Sequence, residues 1–159
     1  MNKFNLKKPN LQKLVKRQIL VMWLSNDMGM FTGFAKVTNK VCNGLAKDPN
    51  FKVFHISENY NGPPHMKGNV QVGGVAPDKI AESCVMHLNT IKPDFFVALE
   101  DTFTLDNYQI WKINFEGVKF IPYVPLDGRW IPTGGERVLR KASKIVSMAK
   151  FTQDCLTEE

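Results

Sequence analysis

The chain has no long apolar run. Its longest, Ile19 to Leu24, spans six residues, against the roughly 20 that a membrane-spanning helix needs, and no small-residue cleavage site follows it. Neither a transmembrane helix nor a signal peptide is expected. Cysteine is scarce as well: Cys42, Cys84 and Cys155 are odd in number, stand more than forty residues apart and form no CxxC pair. That spacing excludes a disulfide framework and a zinc knuckle, and it fits a reducing, cytoplasmic setting in which the thiols serve as small apolar residues on helices. The three histidines, His55, His65 and His87, lack ligand spacing, so no metal site is expected.

Net charge is missing from most of the chain too. The formal +6 arises from Lys3, Lys7, Lys8, Lys13, Lys16 and Arg17, and from Gln18 onward fifteen basic residues face fifteen acidic ones. The expected organisation is a basic leader over 1–17 and one domain over 18–159. At 159 residues with 43% apolar side chains, the chain is long enough to bury about 70% of its unfolded surface. Leu6, Leu11, Leu14 and Val15 interrupt the leader's lysines. The leader is therefore either a solvated tail or a peripheral contact with an anionic membrane surface, at about 1 kcal/mol per basic residue. Nucleic acid is not expected as a partner, because the body shows no basic stripe interleaved with aromatics.

Strand-like and helix-like periods alternate. Residues 18–24 (QILVMWL) read as a strand buried on both faces. Ser25 to Gly29 turn, and Phe34, Val37, Val41 and Leu45 recur at helical spacing. Asp48-Pro49-Asn50 ends that helix, Phe51 to Ile56 form a strand, 58–69 form a loop rich in Gly, Pro and Asn, and Val70 to Val72 a brief strand. Pro77 opens a helix marked by Ile80, Cys84, His87, Leu88 and Ile91. Asp94 to Leu99 is the next strand, Leu105, Tyr108, Trp111 and Phe115 trace one helix, and Val118 to Val124 is a strand weakened by Pro122. A short helix near Glu136 to Lys141, a strand Lys144 to Ser147 and a helix from about Phe151 complete the chain. This alternation predicts an α/β fold, a Rossmann-like open parallel sheet with helices on both faces. Ligands bind such sheets at the carboxyl ends of the strands, here the loops Ser25 to Thr32, Ser57 to Asn61, Glu100 to Thr104 and Pro125 to Thr133.

The order of motifs resembles a known family. VPLDGRWIPTGGERVLRKASKIVSMAKFTQDCLTEE, WLSNDMGMFTGFAKVTNKVCNGLA and KPDFFVALED are similar, in that order, to parts of the amino-terminal domain of GT-B glycosyltransferases of the family 4 type. The likeness covers roughly 18–159, and implies one half of a GT-B fold. It further implies sugar transfer from a nucleotide-diphosphate sugar donor, with retention, to a glycan, lipid or protein acceptor. The donor would bind mainly on a carboxy-terminal domain or subunit that this chain lacks, leaving the chain inactive alone. The family's paired-glutamate motif is absent, and Glu100-Asp101 and Asp127 stand where many members carry a histidine. The alternative is a non-catalytic Rossmann-like sugar- or nucleotide-binding module that pairs with a separate subunit.

The residues themselves leave two readings open at each position. Gly29 and Gly33, with Thr32 between them, could present backbone N–H groups to a donor phosphate at a helix start, or could simply make a tight turn. Asp127 could receive the acceptor's proton or hold a sugar hydroxyl, or could bond its own backbone ahead of Gly128. Asp101 and Glu100 could bind the acceptor or cap a helix. Arg129 and Trp130 could stack on a sugar ring or cover a domain interface. The catalytic candidates are thus Asp127 and Asp101, and the substrate-binding candidates Gly29, Thr32, Gly33, Glu100, Arg129 and Trp130, with no cofactor and no metal.

Overall fold

A computed structural model describes residues 17–76, 78–126 and 131–157. The apolar run of the first strand is β1, Ile19–Ser25, buried on both faces from Val21 onward. It is followed by α1 (Gly33–Leu45) and β2 (Phe51–Ser57). The hairpin β3 (His65–Lys67) and β4 (Val70–Gly74) comes next, then α2 (Ile80–Ile91), β5 (Phe95–Leu99) and α3 (Thr102–Asn107). A 3-10 turn at Ile110–Lys112 leads to β6 (Lys119–Val124), α4 (Gly135–Leu139), β7 (Val146–Ser147) and α5 (Lys150–Thr157).

The seven strands form one open sheet in the order β3-β4-β2-β1-β5-β6-β7. All neighbours pair in parallel except β3 with β4. Counting only the six parallel strands, their chain order across the sheet is 3-2-1-4-5-6. The winding reverses between β1 and β5, and this is the topological switch point of a doubly wound sheet.

The reversal also sorts the helices. Right-handed crossovers moving one way along the sheet place their helices on one face, and those moving the other way place them on the opposite face. Thus Met22, Leu24, Phe54, Ile56, Phe96, Phe120 and Val124 meet Cys84 and Leu88 of α2, Leu105 of α3 and Val138 of α4. On the other face Trp23, Val53, Val72 and Leu99 meet Cys42 of α1, with Phe34, Val37, Val41 and Leu45 packed alongside. Phe96, Phe115 and Phe120 stack with centroids 4.5–5.7 Å apart, adding about 0.5–1.5 kcal/mol per pair beyond the area they bury.

Three expectations change. The helix predicted from Leu105 to Phe115 stops at Asn107, with Gln109 in the left-handed region (φ 59°) and a 3-10 turn beyond. Ile110 and Ile113 are both buried, and in one continuous helix they would point away from Tyr108, Trp111 and Phe115. Breaking the helix lets the core take apolar residues from both sides. The loop 58–69 contains β3, joined to β4 through Gly68 (φ 62°) and Asn69, and the strand expected over 144–147 shortens to two residues. Pro122 is accommodated because its missing donor faces β7. The carbonyls of Phe120 and Val124 accept from Ser143 and Met148 on that side, where the ladder pairs only Tyr123 and Val124. Pro77 and residues 1–16 of the leader expected over 1–17 lie outside the described residues.

At the amino ends of the strands Asp94 ties β1 to β5. Its carboxylate accepts the Leu20 N–H at 2.8 Å and an Arg17 N–H at 2.8 Å. Beside this pair lies an open groove of about 430 Å³, lined in part by Lys92, Asn114 and Glu116.

Candidate functional site

At the carboxyl ends of the strands, side chains bond across the switch point. The Ser25 hydroxyl, fully buried, donates to the Leu99 carbonyl at 2.9 Å. Asn26, the next residue, donates its amide to Glu100 Oε1 at 3.1 Å. Thr32 completes the chain: its hydroxyl donates to Asn26 Oδ1 at 2.9 Å and accepts the Ala35 N–H at 3.0 Å as the N-cap of α1. The start of a helix is thereby linked, through two short polar side chains, to an acid at the end of the neighbouring strand.

That acid has another beside it. Glu58 leaves β2 as Glu100 leaves β5, and both are buried, at 7% and 4% exposure. Tyr108 donates its hydroxyl to Glu58 Oε2 at 2.6 Å, while Glu58 Oε1 finds no amide or hydroxyl donor. Burial first, then the hydrogen bond to Glu58 and the negative charges of Glu58 and Asp101, push the Glu100 carboxyl far above the usual carboxylate range. Two carboxylates at such close range cannot both ionise cheaply. This environment favours the protonated, neutral form of the Glu100 carboxyl. Burial and the bond to Glu58 push the Tyr108 hydroxyl upward as well.

On the other side of β1, Asp27 accepts the Gly29 N–H at 2.6 Å, the Ser57 hydroxyl at 3.3 Å and the Lys67 ammonium at 3.3 Å. Burial raises its pKa, but the Gly29 amide and Lys67 outweigh that effect and hold it below the ordinary value. His55, fully buried on β2, has Nδ1 3.2 Å from the Trp23 carbonyl. Burial pushes its pKa down to about 4, so the ring is neutral.

Among the described residues, four buried side-chain polar atoms have no partner: His55 Nε2, Glu58 Oε1, Thr102 Oγ1 and Trp111 Nε1. The first three lie in β2, just after it, or just after β5. Buried polar atoms are nearly always satisfied, so their concentration here marks the carboxyl end as the polar, frustrated end of the molecule.

Of the residues expected from sequence, Thr32 and Glu100 come together through Asn26. Asp101 takes the N-cap position of α3, though its side chain makes no capping bond. Gly29 is exposed with its N–H turned inward to Asp27, and Gly33 opens α1 with free space around it. Asp127, Arg129 and Trp130 lie outside the described residues. Sequence reasoning passed over Asn26, Asp27, Glu58, Lys67 and Tyr108. A signal existed for Glu58, since HIS-Glu58 and VAL-to-Glu100 both place a glutamate directly after a buried run.

No protein-family model matches the chain, and no curated protein does. Among solved structures it aligns with the response regulator domain of Thermotoga maritima CheB, over 89% of this chain and 91% of that one, at 13% identity and TM-score 0.40. The match is to a response regulator domain, which contradicts the GT-B family 4 reading and the glycosyltransferase activity expected with it. The local geometry agrees with the correction. The Gly29 amide expected to meet a donor phosphate is bonded to Asp27. The fold remains an α/β fold with a mainly parallel seven-stranded open sheet. Among the described residues no helix is long and apolar enough to cross a membrane, and no group of three or more His, Cys, Asp or Glu could hold a metal ion.

Proposed function

We propose that the chain is a ligand-binding domain that takes a small polar molecule at the carboxyl ends of β1, β2 and β5. The ligand would be neutral or cationic and would present hydroxyl or ammonium donors. The parallel-strand order 3-2-1-4-5-6 supports a Rossmann-like sheet, whose ligands sit at this switch point. The observation that carries the reading is the buried Glu58 and Glu100 pair there, with Glu100 tied through Asn26 to the start of α1. Perturbed, desolvated acids collect at functional sites.

The charge selects the ligand class. Asp27 bonds Lys67, and the buried Glu58 and Glu100 form no ion pair among the described residues, so the local field favours donors and cations over phosphate. The test is an amide-resolved titration of the full chain with ethanolamine, which carries both an ammonium and a hydroxyl, and separately with inorganic phosphate. Saturable shifts at Asn26, Thr32 and Thr102 are expected with ethanolamine only, and Glu100→Gln should reduce them. Shifts with phosphate instead, or with neither, would refute the assignment.

A further inference from the structure

We infer that the loop between β1 and α1 is a membrane-docking tip, built to rest on an anionic lipid surface. The inference does not depend on what the neighbouring site binds. Phe31 is 100% exposed and Met30 39% exposed. Single exposed apolar side chains are common and need no explanation, but this pair is held in place. Met30 N–H donates to the Asp27 carbonyl at 3.0 Å, Gly29 N–H donates to the Asp27 carboxylate, and Thr32 caps the helix that follows. A turn on one side and a cap on the other present Phe31 to solvent as the tip of an ordered loop.

The surroundings of the tip are basic. α1 contains Lys36 and Lys40 and no Asp or Glu in its 13 residues. Both lysines are exposed, and neither has an ion-pair partner among the described residues. With Met28, Gly29, Met30, Phe31 and Asn39 they line an open groove of about 530 Å³. An apolar tip flanked by unpaired cations matches the interface of a bilayer, where rings enter the headgroup layer and ammonium groups meet lipid phosphates. The body beyond Arg17 has no formal net charge, so the positive charge at this edge is a local feature. Since the same loop supplies Asn26 and Thr32, docking would turn the carboxyl end of the sheet toward the membrane.

The test is co-flotation of the full chain with vesicles of phosphatidylcholine alone or mixed equally with phosphatidylglycerol. Binding is expected only to the mixed vesicles. Phe31→Ser should lower the bound fraction about tenfold, the loss expected for one large apolar side chain. Lys36→Glu with Lys40→Glu should lower it about as much, in a salt-dependent manner. All three positions are exposed, and an unchanged thermal melting curve verifies folding. A chain lacking residues 1–16 should bind more weakly yet keep its dependence on Phe31. Three outcomes would overturn the inference: no binding to mixed vesicles, binding indifferent to Phe31 once the leader is present or removed, or Phe31-dependent capture of polyglutamate in place of lipid.

Discussion

The two ends of the sheet hold buried or half-buried acids in opposite ways. At the amino end, Asp94 receives one backbone N–H and one guanidinium N–H, both at 2.8 Å. At the carboxyl end, Glu58 and Glu100 receive a tyrosine hydroxyl and an asparagine amide, and otherwise face each other. Asp94 closes the entry of β1 and β5 with its bonding needs met, as a structural joint should. The glutamates remain short of donors in a place where packing alone would have favoured apolar residues. The same sheet is thus satisfied at one end and strained electrostatically at the other, which is the asymmetry expected when stability and binding are assigned to opposite poles.

Removing the satisfied acid should cost most. Asp94→Ala strands the Leu20 N–H and frees Arg17, and should destabilise the fold by about 2 kcal/mol after allowing for the partial exposure of the pair. Chemical denaturation at neutral pH measures it. A loss no larger than that of an ordinary surface substitution would remove the contrast.

Removing the charge from the strained acid should act in the opposite direction. Glu100→Gln keeps a carbonyl for Asn26 and a donor for Glu58 without any proton to hold. Because the folded state raises the Glu100 pKa above its ordinary 4.5, the unfolded chain releases a proton that the folded chain keeps. Stability therefore falls as pH rises above that value. At pH 8 the glutamine variant should be more stable than the parent by about 1–2 kcal/mol, a magnitude typical of relieving one buried charge conflict. At pH 4 the two should be nearly equal. Equal stabilities at both pH values would show that the pair is not strained.

The parent's own pH profile sharpens the comparison. His55 has its pKa depressed from 6.5 to about 4, so its contribution is present above 6.5 and is lost as pH falls toward 4. Glu100 works from the other side. Between 4.5 and 6.5 the two slopes oppose each other, and a stability plateau is expected there, with a decline above it that disappears in Glu100→Gln. Melting temperature across this range reads out both limbs.

How much of this was legible in the sequence depends on what kind of signal each feature leaves. The strands were readable because Ile19 to Leu24 and Phe95 to Leu99 are buried or half-buried on both faces, and a continuous apolar run shows without an alignment. β3 was hidden because His65, Met66 and Lys67 carry no period, although the Gly68-Asn69 pair is a hairpin signature that composition obscured. The helix after β5 misled, since its apolar residues fit a 3.6-residue period while Ile110 and Ile113 did not. The loops that leave the carboxyl ends of the strands were placed by topology. Their internal pairing was not legible, because Asn26 with Glu100 and Glu58 with Tyr108 join residues 74 and 50 positions apart. The family resemblance failed for a related reason: turns and amphipathic helices in a given order are demanded by any doubly wound sheet, and do not single out the chemistry at its edge.

The smallest expected effect lies between the poles' extremes, at Asp27. This acid sits at the carboxyl end yet is satisfied like Asp94, by the Gly29 amide, the Ser57 hydroxyl and Lys67. Its folded pKa is depressed below 3.8, so its contribution is present above that value and lost as pH falls through the folded pKa. The Lys67 side chain is 37% exposed, which limits the ion pair to about 0.5 kcal/mol at moderate salt. Lys67→Met should therefore cost little at pH 7 and shift the acid limb of the melting profile upward. If instead that variant loses as much stability as Asp94→Ala, Lys67 must be compensating the glutamate pair as well. The boundary of the strained region would then move across β1 to include β2 and the β3 edge.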